Sequence, residues 1–261
     1  MKLKTWQPLS IAFLTMVSTQ STWAHDTGRV GVESDVIAPV HAGHVVIKIQ
    51  MADMERRLPV TDRDLEVVHE KKLHAFIFDQ ALKEFHHVHP VYVGNNWVVE
   101  ADLPVNGHYS LWAQGTLTDQ MAEFTADTEF DIAGGTQANP TAIFPGETRR
   151  ASAGIYQASL SNTVIYAGQM AMLDLTLSHT DGTPVEIHPG LGAQAHVIAV
   201  SWDGEQLGHL HAIETATSGQ LMLHAELREP GGYRFWVQYQ DGSEVRTVPL
   251  TLTVLPQPSS P

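Results

Sequence analysis

The chain repeats itself. Leu73-His74-Ala75-Phe76-Ile77-Phe78 answers Ala195-His196-Val197-Ile198-Ala199-Val200, and His87-Val88-His89 answers His209-Leu210-His211. In both copies the second and third histidines follow the first by 13 and 15 residues. Further on, Gly107-His108-Tyr109-Ser110-Leu111-Trp112-Ala113-Gln114 answers Gly231-Gly232-Tyr233-Arg234-Phe235-Trp236-Val237-Gln238. Upstream, Ala42-Gly43 answers Ala167-Gly168 and Pro59-Val60 answers Pro184-Val185, with the offset drifting only between 122 and 125 residues. Self-similarity in this order constrains the chain to two tandem units.

Between the copies, Gly134-Gly135 through Pro140, Pro145-Gly146 and Arg149-Arg150 read as a linker with breakers and few side chains to pack. The expected division is a signal peptide at 1–24, a first domain at 25–138, a linker at 139–152, a second domain at 153–256 and a tail at 257–261. Each domain is then near the commonest domain size. Within each copy the hydrophobic period is two. The clearest strands are 45–50, 73–78, 84–89, 97–103 and 109–114, then 156–160, 170–177, 195–202, 206–211, 221–227, 233–239 and 248–254. A helix is undecided only over 62–69. The pattern predicts an all-β protein of two tandem β-sandwich domains, immunoglobulin-like or cupredoxin-like without a blue-copper cysteine, with a small barrel as the alternative.

The chemistry is narrowed by what is missing. Zero cysteines among 261 residues exclude disulfides, thiolate zinc sites, iron–sulfur centres and cysteine nucleophiles. Fifteen histidines leave imidazole nitrogen as the abundant metal-binding group. Fifteen Lys and Arg against 29 Asp and Glu give a net charge of −14, which argues against nucleic acid and favours cations. Lys2 and Lys4, the apolar run from Leu9 to Val17 and the small residues at Thr22 and Ala24 read as a cleaved signal peptide, hence a periplasmic or secreted protein without membrane insertion. Cleavage after Ala24 would leave His25 at the amino terminus, where amine and imidazole can chelate Cu²⁺ together.

Asp203-Gly204 predicts a two-residue hairpin turn, so that paired positions sum to 407. His196 then lies opposite His211 and Ile198 opposite His209, with all three imidazoles on one face. Equal spacing in the first copy gives pairs summing to 163, which sets His74 opposite His89 and Phe76 opposite His87 and turns His86 to the other face. The expected metal ligands are therefore His74, His87 and His89 in one domain and His196, His209 and His211 in the other, holding a copper or zinc ion. On the same faces, Phe76, Phe78 and Phe85, and Ile198, Val200 and Leu207, are expected to be core, placing the histidines toward an open end of each sandwich. The same pattern also fits half-buried histidines hydrogen-bonded to loop carbonyls.

Other donors are less clearly placed. Glu100 aligns with His224, His69 and His188 precede the first histidine of each copy, and Met51, Met54, Met170 and Met172 offer thioethers. Met170 and Met172, alternating on one strand, read more simply as core filling. Tyr109, Trp112, Tyr233 and Trp236 read as aromatics holding sheets together. No Gly-x-Ser-x-Gly elbow, phosphate loop or His-Glu-x-x-His helix is present, so an enzyme is not expected.

The run Val68-His69-Glu70-Lys71-Lys72-Leu73-His74, followed by Phe85-His86-His87-Val88-His89-Pro90 and Gly107-His108-Tyr109-Ser110-Leu111-Trp112, resembles the secreted bacterial YtkA-like or FixH-like β-sandwich modules over most of residues 40–133. The resemblance implies a role in bacterial heavy-metal, chiefly copper, handling beside envelope efflux systems, and it carries over His74, His87 and His89. The second copy departs from it, with Ala212 where the first has Pro90 and no Glu-Lys-Lys stretch. The expectation is a periplasmic protein that binds, buffers or delivers copper or zinc, with binding that weakens below about pH 6 as histidines protonate. The alternative is a non-catalytic structural or protein-binding envelope module whose histidines are structural.

Overall fold

A computed structural model describes residues 28–36, 38–141, 143–188 and 194–258. The expected signal segment and His25 lie outside the described residues. Period-two patterning produces strands almost throughout. In the first repeat these are β1 (Val30–Ser34), β2 (Val40–His41), β3 (Gly43–Asp53), β4 (Leu58–Pro59), β5 (Leu73–Asp79), β6 (Phe85–Val88), β7 (Val91–Val93), β8 (Asn96–Leu103), β9 (Gly107–Leu117) and β10 (Ala122–Ala133). The second repeat contributes β11 (Arg150–Ala153), β12 (Tyr156–Leu160), β13 (Ile165–Tyr166), β14 (Ala171–His179), β15 (Ile187–His188), β16 (Ala195–Ser201), β17 (Leu207–Glu214), β18 (Gln220–Ala225), β19 (Gly231–Asp241) and β20 (Glu244–Leu255). The undecided segment forms a single 3₁₀ turn at Asp62–Asp64, where the Asp64 carboxylate accepts from both the amide and the hydroxyl of Thr61.

The first repeat has two sheets, one ordered β1-β3-β8-β7 with β4 beside β3, the other β2-β10-β9-β5-β6. They share a core in which Ile47, Ile49 and Trp97 meet Ile77, Leu111 and Phe130. In the second repeat one sheet runs β11-β12-β14-β18-β17-β16-β19-β20-β13 and curls around Leu173, Leu223, Val197 and Phe235. One substitution between the copies accounts for part of the difference. Pro90 follows His89, lacks an amide hydrogen, and β6 stops at Val88. Ala212 at the matching place lets β17 continue to Glu214 and pair with β18 through Ala212 and Leu223. The result is an all-β, cysteine-free fold of curled, open sheets.

The backbone carries the duplication as faithfully as the side chains do. Gly107 and Gly231 open β9 and β19 with the same φ of 149°, a conformation that L side chains rarely adopt. Two residues later, the Tyr109 and Tyr233 hydroxyls each donate to a carbonyl four residues upstream, Val105 and Glu229.

Both hairpins hold the register expected from the sequence. His196 pairs with His211 and Ile198 with His209, while Phe76 pairs with His87 and Ala75 with Val88. The turn itself differs. The Ser201 amide donates to Gln206 O and the Gly204 amide to Ser201 O, so the loop spans four residues rather than two. Gly204 has positive φ and Asp203 does not, which excludes the two-residue turn that needs both positive. A symmetric four-residue loop leaves the same pairing sum, so the histidines keep their face.

All seven residues of β5 are buried, and so are all seven of β16. An antiparallel strand with one face in water would alternate, so both faces of each strand are covered. Leu73 and Ile77 point into their own repeat's core, as do Ala195, Val197 and Ala199. The other faces meet each other: Phe76, Phe78, Leu82 and Trp112 pack against Ile198, Val200 and Trp236 in a separate cluster, joined by Phe85, Trp202 and Leu207. Phe85 stacks on Trp236 with ring centres 4.4 Å apart and planes 11° apart. The six apolar residues expected to be core within each sandwich are instead the contact between repeats.

Candidate metal centre

Because the repeats dock through these faces, the histidines lie between them and not at an open end. In each repeat the first histidine sits on a fully buried strand; His209 and His211 lie on the adjoining hairpin strand β17, whereas His87 lies on β6 and His89 just beyond its end. His74 and His196 are 5% and 1% exposed; the remaining four are half-buried. Nitrogens of His74, His87 and His89 lie within 4.8 Å of one another, and so do those of His196, His209 and His211. Both predicted triads are thus brought together and are poised to chelate a metal ion. His86 pairs with Ile77 and lies on the other face, as expected.

Five of the six ring spacings match shared ligation, and the His74–His87 spacing of 5.4 Å is slightly wider. Two imidazoles bound to one ion at about 2.0 Å, at angles of roughly 90–110°, set their ring centres roughly 4.5–5.2 Å apart. In the first triad the separations are 5.4, 5.0 and 4.9 Å, and in the second 5.1, 5.2 and 4.5 Å.

Hydrogen bonds orient the rings. His74 Nε2 donates to Val68 O at 3.3 Å, and His87 Nδ1 donates to Gln238 Oε1 at 2.8 Å. The Gln238 amide nitrogen in turn donates to Thr247 Oγ1 at 3.3 Å. A neutral imidazole has one hydrogen, so in the tautomers that serve Val68 O and Gln238 Oε1 the His74 Nδ1 and His87 Nε2 lone pairs face each other at 3.1 Å. Two arrangements satisfy the pair: a tautomer of His74 that gives up Val68 O and donates from Nδ1 to His87 Nε2, or a cation held between the two nitrogens. A proton is disfavoured: burial lowers the His74 pKa and drives that of His87 down to about 2. A metal ion fits, because two donors on one ion at such bond lengths are about 2.9–3.4 Å apart. Outer hydrogen bonds to carbonyl and amide oxygens are the usual way a ligating histidine is oriented.

The second triad brings the corresponding nitrogens together. His209 Nδ1 donates to Gln114 Oε1 at 2.7 Å, leaving its Nε2 to meet His196 Nδ1 at 2.8 Å. The third member of each triad, His89 or His211, presents a buried Nε2 with no hydrogen-bond partner. Burial lowers the pKa of His89 to about 4 and of His211 to about 3 and that of His209 well below its ordinary value. These imidazoles therefore stay neutral and able to bind below the pH near 6 at which ordinary histidines would be lost.

The other donor candidates scatter. Glu100, His224 and His188 are exposed or half-exposed and join neither triad. Met51 is buried in the first core, and Met54 is 42% exposed. Met170 and Met172, expected as core filling, are 59% and 55% exposed, because the core-facing residues of that strand are Ala171, Leu173 and Leu175. His69 stands closer, its ring centre 4.0 Å from that of His211 and 6.0 Å from that of His196, across the repeat boundary. Sequence reasoning missed Gln114 and Gln238. The signal was present, since each closes the repeated octet as a polar residue in an otherwise apolar strand end.

Fold and site together define a cysteine-free, all-β protein with an internal repeat and two three-histidine clusters poised for a metal. The family model "Domain of unknown function (DUF8832)" matches residues 24–131 and again 150–255, and the chain belongs to that family. No curated protein matches it. Among solved structures it is similar to domains 4 and 5 of the S-layer protein SbsC, at 10% identity over 87% of this chain and 98% of that one, with a TM-score of 0.24. Salmonella alpha-2-macroglobulin gives 10% identity over 91% of this chain but 15% of that chain, at 0.27. The D00-D0 domain of intimin gives 10% over 87% and 99%, at 0.23. Scores this low bear on neither fold family nor function. Among the described residues no helix is long and apolar enough to cross a membrane.

Proposed function

We propose that the protein is an exported, non-catalytic metal-binding protein that sequesters, buffers or passes on copper or zinc in the periplasm. The observation that carries the reading is the convergence of the His74, His87 and His89 nitrogens within 4.8 Å of one another, with His74 Nδ1 and His87 Nε2 3.1 Å apart and the unpartnered Nε2 of His89 beside them. Imidazole-only triads suit copper and zinc better than the hard, oxygen-preferring ions. The signal-like leader and the resemblance to YtkA-like or FixH-like modules support an envelope location and efflux or other periplasmic partners, and the net charge of −14 favours cation approach. The immunoglobulin-like form of the two domains, 25–138 and 153–256, is supported by the paired tyrosine hydroxyls that reach back to Val105 and Glu229, the device of a tyrosine corner.

The test is titration of the purified protein with Zn²⁺ and Cu²⁺ beside His74→Ala, His87→Ala and His196→Ala variants, with cell fractionation for location. Binding that falls with each substitution is expected. Unchanged uptake with lowered stability would assign the histidines to a structural, protein-binding module.

A further inference from the structure

Resting on the metal-binding reading, we propose that the two triads are one dinuclear centre, in which two ions share a bridging hydroxide and together clamp the repeats. The triads are not separate in space. Ring centres of His74 and His209 lie 5.3 Å apart, those of His87 and His196 5.5 Å, and those of His87 and His209 5.8 Å, scarcely more than the spacings inside each triad. Ions held by the two sets are therefore near neighbours.

Each half depends on the other repeat for its outer shell. Gln238 pairs along the sheet with His196, yet its oxygen holds His87. Gln114 pairs with His74, yet its oxygen holds His209. The exchange is reciprocal, so pulling the repeats apart strips the orienting acceptor from both triads at once. Conversely, an ion bound at either triad favours the docked arrangement, which is the arrangement the other triad needs.

Charge supplies the reason for the bridge. Both triads consist of neutral imidazoles, so two divalent ions bring four positive charges into a half-buried site with no anionic ligand in either triad. A hydroxide between the ions relieves that repulsion, and paired metals lower the pKa of a shared water enough to supply it, the proton leaving to solvent. A cleft of about 230 Å³ reaches His74 from one triad and His209 and His211 from the other, giving water and ions a route to both.

The experiment is copper loading of the full exported chain in a His25→Ala background, so that an amino-terminal imidazole adds no copper. Two Cu²⁺ per chain with an integrated paramagnetic resonance signal well below two spins is expected, since a bridging hydroxide couples the two unpaired electrons. Two full spins, or a single ion per chain, would overturn the dinuclear centre while leaving metal binding intact. No copper or zinc uptake at all would overturn the metal-binding reading itself. As a second measurement, His89→Ala should weaken Zn²⁺ binding at the remaining triad by roughly tenfold or more; an unaltered affinity there would refute coupling. The resonance measurement needs no triad substitution, so a misfolded variant does not remove the test.

Discussion

Acidifying the metal-free protein from pH 7.5 to 5.5 should destabilise it by an amount the histidine environments set. Burial lowers the pKa of His87 to about 2, of His89 to about 4 and of His211 to about 3, so all three stay neutral in the folded chain over this range. In the unfolded chain they take up protons near pH 6.5. Below that pH the unfolded state binds more protons, so stability is fully present above about 6.5 and is lost as pH falls toward the folded values. Each such group removes about 1.4 kcal/mol between pH 7.5 and 5.5, or about 4 kcal/mol for the three. Solvent screening at the half-buried His89 and His211 reduces this to about 2–4 kcal/mol. His74 and His209 are lowered by burial and add to the loss. His108 opposes it, its pKa raised because Asp131 and Glu129 outweigh desolvation. Urea unfolding followed by tryptophan fluorescence, with chelator present, should show a midpoint lower by about 1 M at pH 5.5. An equal or higher midpoint would refute the buried, neutral state of the triads.

Gln238→Leu deprives the His87 Nδ1 hydrogen of its acceptor, and calorimetric titration should show zinc affinity reduced about 10–100-fold. Phe78→Ala removes a ring 1% exposed at the repeat contact and should cost about 3–5 kcal/mol in urea unfolding. Tyr109→Phe removes the hydroxyl bond to Val105 O and should cost about 0.5–1.5 kcal/mol by the same assay, without altering metal affinity.

The sequence made some levels of this structure legible and hid others. Alternation along two strands and the distance between them set which histidines share a face, and the observed pairs His196 with His211 and Phe76 with His87 follow from that alone. Alternation does not say what covers the face. Phe76, Phe78, Ile198 and Val200 have the composition of a core whether the opposing surface is their own second sheet or another domain, and here it is the other repeat. The unbroken apolar run of 75–78 and its counterpart 197–200 was the available sign, because a strand exposed on one side does not need it. Once the docking is known, the exchange of Gln114 and Gln238 follows from pairing: each sits beside its own repeat's first histidine and faces across the boundary. Local rules also lost to context at Asp203-Gly204, where Ser201 and Gln206 close a wider loop, and at Met172, which shares its strand with better-placed leucines.

The central claim is that a metal ion binds between the His74 and His87 nitrogens, and likewise between those of His196 and His209. Crystals of the zinc-loaded protein, measured at the zinc absorption edge, test it directly. Anomalous peaks are expected at about 2.0–2.1 Å from His74 Nδ1 and His87 Nε2, and likewise from His196 Nδ1 and His209 Nε2. Peaks confined to surface groups such as His108 with Glu129 and Asp131, with the triads still joined nitrogen to nitrogen, would contradict it.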